Sequence, residues 1–382
     1  MVGVNSVDCC VEAVSFFGFI QKLYTFFSAS THRWAVLTKH LEQTDGALTL
    51  KSLSDTRWSA RADATKAVLI GYADIKSALE DISEDVQQNG GTKNEAESLC
   101  QSMEQLETAF LCVMWNDILS RFNETSKSLQ AVKVDIKVAV DLLLSLDFFV
   151  SNMCDRHVEF EERAKQLSGN VNYKTTLQRQ RKRNTIFDSD VSNSQSEGVV
   201  LIDADKFRAN TFLVIIDRLI AALKQRIVAY QTVYDRFRAL LVADAINSQP
   251  ELAKRLAEYY PKDLSTDLLY GELVQWSSFA KLRKCHSPLA QISLLHENEL
   301  YSTFPNVSVT LRMYLTLMIT NCSGERSFSK MALIKNKKRA TRTDPRLCAL
   351  SLLSIESELL RQLNFSDIIE TFASAKARKC HI

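Results

Sequence analysis

At 382 residues the chain exceeds the usual size of one domain, and two or three structural units are expected. A hydrophobic fraction of 46% beside 24% charged residues excludes a disordered chain and fits a globular one able to bury a core. A net charge of only +2 excludes a strongly basic protein that coats nucleic acid, so any DNA contact must come from local patches. Ten glycines and five prolines are few for this length, which favours a mainly α fold.

Apolar residues recur at steps of three and four along most of the chain. The first such segment, Val7–Ala29, holds Phe16, Phe17, Phe19, Phe26 and Phe27 but is interrupted by Asp8, Glu12, Gln21 and Lys22. It lacks the charged start and clean apolar run of a signal peptide and falls short of the roughly 20 apolar residues of a membrane span. A core helix is expected. Trp34 continues an apolar face with Leu37 and Leu41 in the next helix, His32–Leu41. Ala47–Leu53 alternates in the manner of a strand. Further helices are expected over Arg57–Asp85, Glu95–Arg121, Leu129–Gln166, Asp205–Val242, Asp267–Lys284, Val307–Leu317, Ser323–Lys335 and Pro345–Leu363. An acidic, serine-rich linker lies near residues 184–198, and no internal repeat is evident.

Two basic stretches stand out. One contains Arg181, Lys182 and Arg183; the other contains Lys337, Lys338 and Arg339. Either can meet phosphates, and the first can equally be a nuclear-import signal or a solvated loop. The nine cysteines form no C-x-x-C pair and are odd in number, supporting neither a zinc module nor a disulfide framework. Cys285-His286 and Cys380-His381 are too close in sequence for a two-ligand bite. Reduced thiols in an intracellular compartment are expected.

Thr320-Asn321-Cys322-Ser323-Gly324-Glu325-Arg326-Ser327-Phe328-Ser329 reads as a helix start, with Asn321 or Ser323 as N-cap and Glu325 in the first turn. A carboxylate there suits the helix dipole whether or not it has any other role. This block resembles the C-terminal block of hAT-superfamily DNA transposases, in which the glutamate is the third acidic residue of an RNase H-like catalytic core. The resemblance makes Glu325 the vestige of that residue. Asp55-Thr56-Arg57-Trp58 is similar to the family's T-R-W signature after the last core strand, which implies DNA stacking for Trp58 beside Arg57; packing is the alternative reading. Met1-Val2-Gly3-Val4-Asn5 looks like the residues just after the family's leucine-asparagine run. That likeness implies that both catalytic aspartates lie upstream, so the three carboxylates that hold a magnesium pair in intact relatives are not all expected here. The chain looks closest to the transposase-like halves of zinc-finger MYM-type and related domesticated proteins.

The resulting expectation is a mainly α protein. Residues 1–56 would be a truncated RNase H-like core remnant, with the last strand at Ala47–Leu53 and aromatic surface left exposed by missing partner strands. Residues 57–298 would be an all-α insertion, 299–363 the hAT C-terminal dimerisation block with returning core helices, and 364–382 a tail. Leu352, Ile355, Leu359 and Leu363 share one face of the last helix, too broad for a monomer surface unless it packs on Val307–Leu317. The leading function is self-association as a homodimer, without catalysis or cofactor. A nuclear, DNA-binding adaptor and a metal-dependent transposase are the alternatives; neither a membrane nor a small-molecule substrate is implied.

Overall fold

The computed structural model describes residues 10–44, 46–54, 58–131, 134–174, 203–241, 245–317, 319–320, 322–341 and 343–374. Among them every regular element is helical. The chain divides into two compact units, residues 1–316 and 317–382.

In the first unit, α1 (Val11–Ser28) and α2 (Thr31–Leu41) are followed by α3 (Trp58–Ile70) and α4 (Tyr72–Glu84). Next come α5 (Gly90–Met103), α6 (Leu106–Leu129), α7 (Ile136–Asn152) and, after a 3-10 turn, α8 (His157–Ser168). The expectation of exposed aromatics is corrected: all five phenylalanines of α1 are buried. Phe16, Phe19, Ile20, Leu23, Phe26 and Phe27 follow helical spacing, and the core they enter is made by helices rather than by a sheet. Phe17 meets Trp115 of α6 edge to face at 5.1 Å.

Ala47–Leu53 forms no strand, which corrects the expected RNase H-like strand. The segment runs alone, so its backbone takes partners from side chains instead of from a ladder. The Leu53 amide donates to Gln21 Oε1 at 2.8 Å, Lys51 pairs with Asp63 at 3.0 Å, and Leu50 plugs the core. Of the two alternating leucines only Leu50 is buried while Leu48 is exposed, so the pattern marks neither a sheet nor one covered face.

Arg57–Asp85, expected as one helix, is broken at Gly71. A Cβ there would stand 2.8 Å from Leu41 Cδ2, so the glycine lets α2 close onto the α3–α4 joint. α6 lies at the centre. Leu106, Ala109 to Trp115, Ile118 and Leu119 are buried on all sides of it, as befits a helix with neighbours all round. Tyr72 of α4 donates to the Met103 carbonyl at 2.6 Å.

α8 ends at Gly169, whose φ of +70° closes the helix on the Lys165 carbonyl. Beyond residue 202 the chain resumes with α9 (Asp203–Phe207), a π turn (Arg208–Phe212) and α10 (Leu213–Arg236), which packs along α7. Phe110, Phe160, Phe207 and Phe212 gather here with ring centroids 5.1–6.2 Å apart, and His157 stacks among them. Burial holds the His157 pKa below its usual value, opposed by the Glu161 carboxylate 4.0 Å away.

Short helices α11 (Arg238–Leu241) and α12 (Ala245–Ser248) lead into α13 (Glu251–Tyr259), α14 (Thr266–Leu282), α15 (Pro288–Glu297) and α16 (Pro305–Thr316). Trp276 anchors this end of the unit. Its Nε1 donates to Gln291 at 2.9 Å, and its ring meets Phe304 at 5.1 Å. Glu272 of α14 reaches the start of α16 and accepts from the amides of Asn306 (2.8 Å) and Val307 (3.1 Å) and from Asn306 Nδ2. Asn306 Oδ1 in turn accepts from the Ser265 amide at 2.9 Å. A carboxylate satisfying orphan amides at a helix N-terminus is a strong cap. Glu272→Ala is expected to cost about 1–3 kcal/mol, read as a lower urea midpoint at unchanged far-UV circular dichroism.

The second unit holds α17 (Cys322–Ile334), a 3-10 turn (Lys337–Arg339), α18 (Asp344–Ile355), α19 (Ser357–Leu360) and α20 (Ser366–Ser374). The single helix expected over Pro345–Leu363 is therefore two, and residues 364–382, expected as a tail, contain a helix. Within this unit no hydrophobic side chain among the described residues is fully buried.

Candidate self-association surface

α17 and α18 pack on each other, and their junction sets the shape of the surface. Lys330 of α17 donates its ammonium to the carbonyls of Ser354 (3.0 Å) and Ile355 (3.2 Å). These are among the last carbonyls of α18, which lack partners within their own helix, and a cation is favoured at this end of the helix dipole. The cap coincides with the end of α18; the chain bends at Glu356 (φ −90°, ψ 32°) before α19 begins.

That bend divides the expected dimerisation face. Leu352 is 63% exposed on α18, with Leu353 beside it and Ile355 half-buried; Leu359, 57% exposed, lies on α19, and Leu363 follows in the next turn, also exposed. Phe328 and Leu333 of α17 are exposed as well. A hydrophobic surface of this density is unusual for a monomer. The signal for it, leucines at three- and four-residue steps, was present in the sequence. The break was not, and it coincides with contacts from a lysine more than 20 residues upstream.

Glu325 does occupy the first turn of α17, exposed to solvent, with its carbonyl accepting from Ser329 Oγ at 2.9 Å. Asn321, one of its expected caps, lies outside the described residues. A two-metal site needs several carboxylates converging on one point. Among the described residues, the group of acidic and thiol side chains close enough to share an ion is Glu80, Cys100 and Glu104, far along the chain from Glu325. There the Lys76 ammonium already sits 2.9 Å from Glu104, and burial with the nearby carboxylates pushes the Cys100 thiol up to about 11. The described residues do not fit a magnesium pair around Glu325.

Lys337, Lys338 and Arg339 form an exposed basic turn, opened by Asn336, whose Oδ1 accepts from the Lys338 amide at 3.1 Å. None of the three makes an ion pair with another described residue. Of the other expected DNA contacts, Arg57, Arg181, Lys182 and Arg183 lie outside the described residues, and for Trp58 only its place as the first residue of α3 is described. The structure thus brings the basic turn and Glu325 into one unit with the leucine face, and says nothing that joins them to Trp58.

Residues missed in sequence reading are Lys330, Glu272 and the apolar residues of α20. The last carry a signal that was available: Phe365, Ile368, Ile369 and Phe372 are spaced i, i+3, i+4, i+7.

Residues 273–359 match the sequence model of the hAT family C-terminal dimerisation region. The matched stretch runs from α14 to α19, and so takes in Trp276, Asn306, Glu325, Lys330, Leu352 and Leu359. No curated protein and no solved structure matches the chain. This region therefore resembles a module for self-association in hAT transposases, and none of the described helices is long and apolar enough to cross a membrane.

Proposed function

We propose that this chain is a transposon-derived protein of the hAT type that forms a homodimer through residues 273–359 and does not cut DNA. The observation that carries the reading is the coincidence of the dimerisation-region match with the uncovered leucines of α18 and α19. The reading of a chain that does not cut DNA draws on the solvated Glu325, which among the described residues joins no group of three or more side chains able to share an ion. In this reading α1, α2 and α17 descend from an RNase H-like core, the chain is similar to the transposase-like halves of zinc-finger MYM-type proteins, and the protein works in the nucleus.

Light scattering on the full chain tests it. A species of twice 43.2 kDa is expected over the low micromolar range, unaltered by Glu325→Gln or by chelation of divalent metal. A monomer at every concentration sinks the dimer; metal-dependent nicking of DNA, abolished by Glu325→Gln, sinks the non-catalytic half. A second reading, DNA contact, is favoured by one observation, the exposed turn of Lys337, Lys338 and Arg339. Under it, binding to duplex DNA persists without metal, falls steeply with salt and drops on charge reversal of Lys337 and Lys338.

A further inference from the structure

His157 of α8 is a polar side chain enclosed by aromatic rings. Only 6% exposed, it lies against Phe110 of α6 (5.1 Å between ring centroids) and Phe212 of the π turn (5.2 Å). Its Nδ1 is 4.0 Å from Glu161, one turn further along the same helix, while its Nε2 is buried without a hydrogen-bond partner among the described residues. A neutral imidazole leaves one such nitrogen wanting. A protonated one donates from both nitrogens, and the buried Nε2–H would then carry part of a positive charge with nothing to receive it.

The ring that closes over His157 belongs to an unusual piece of backbone. Phe207 and Phe212 both meet Phe110, at 5.1 and 5.7 Å, although side chains five residues apart on an α-helix point about 140° away from each other. The π turn at Arg208–Phe212, with its wider i→i+5 closure, brings the two to one side. Such turns are rare, and contact with Phe110 and His157 is what this one gains. The charged groups that face the imidazole are Glu161 on its own helix, Asp205 from α9 and Arg208 from the π turn; α6 presents the uncharged Phe110. Burial, aided by Arg208, outweighs the two carboxylates and holds the imidazole pKa below its usual value. The docked segment is therefore favoured in full above about pH 6.5, the value of a solvated histidine, and that contribution is lost as pH falls through the lower value of the docked state.

We infer that His157 is a proton-sensitive latch for residues 203–212: protonation drives the imidazole out from between the rings, and α9 and the π turn release from α6 and α8 while α10 stays packed on α7.

Hydrogen exchange on the full chain, read by mass spectrometry at pH 7.5 and 5.5 and corrected for intrinsic rates, measures the release. Protection of the amides of residues 204–212 should fall about 5- to 10-fold between the two, the upper value being the ratio set by one pH unit below the pKa of a solvated histidine. Amides of α7 and α10 should change by less than about 2-fold. His157→Phe puts in its place a ring that cannot take up a proton, and should hold the fall in 204–212 below about 2-fold; His157→Gln, neutral and without a ring, should do the same from a lower starting protection. Equal protection of 204–212 at the two pH values in the parent chain overturns the latch without any variant. A fall shared by α7 and α10 overturns it as well, because acid is then loosening the whole unit. A fall that persists in both variants removes His157 from the role.

Discussion

Leu352→Glu combined with Leu359→Glu is expected to turn the dimer into a folded monomer. Both side chains are mostly exposed in the single chain, so their replacement removes no core contact and should leave the far-UV circular dichroism and the melting temperature of the monomer unchanged. In the dimer each leucine contributes about 1.5–3 kcal/mol of burial, and a carboxylate forced into the same place adds a desolvation cost of similar or larger size. Four substituted positions per dimer should therefore raise the dissociation constant by at least about three orders of magnitude. Light scattering at micromolar concentration would read half the parent mass. Retention of the parent mass would show that α18 and α19 face solvent in the assembly, and unfolding would show that they are covered intramolecularly.

Phe110→Ala is expected to be the most damaging single truncation outside that surface. The ring is fully buried in α6, with centroids 5.1 Å from Phe207, 5.1 Å from His157 and 5.7 Å from Phe212. Its removal deletes the common neighbour of α8, α9 and the π turn, and rings held in place by one another collapse poorly into the void. A loss of about 3–5 kcal/mol is expected, measured as a reduced urea midpoint with the slope unchanged. A loss under about 1 kcal/mol would mean that the cluster repacks freely and is not what holds the helices that follow residue 202 to α6.

Helical periodicity made most of the fold legible. The segments His32–Leu41, Asp267–Lys284, Val307–Leu317 and Ser323–Lys335 fall within a residue or two of observed helices. What periodicity did not carry was where helices stop. Arg57–Asp85 reads as unbroken because Gly71 costs little locally; its purpose, room for Leu41, is a tertiary fact. Ala47–Leu53 reads as a strand because Leu48 and Leu50 alternate with Thr49 and Lys51, yet Leu50 is buried and Leu48 exposed, so the pattern does not record one covered face. The leucine surface was legible as composition and spacing. Its division between α18 and α19 coincides with the Lys330 contacts, and the nine-residue α20 falls within residues 364–382, which read as a tail.

The Lys330 cap bears on how ancestry is to be read from a sequence such as this. Lys330 belongs to the same helix as Glu325, one and a half turns further on, and its ammonium holds the end of the helix that presents Leu352. A lineage that had abandoned cutting DNA would still be under selection to keep that helix, its position and its lysine, because a loosened α18 would misalign the leucines. A motif around Glu325 is thus a record of the architecture it supports, whatever the activity of the chain.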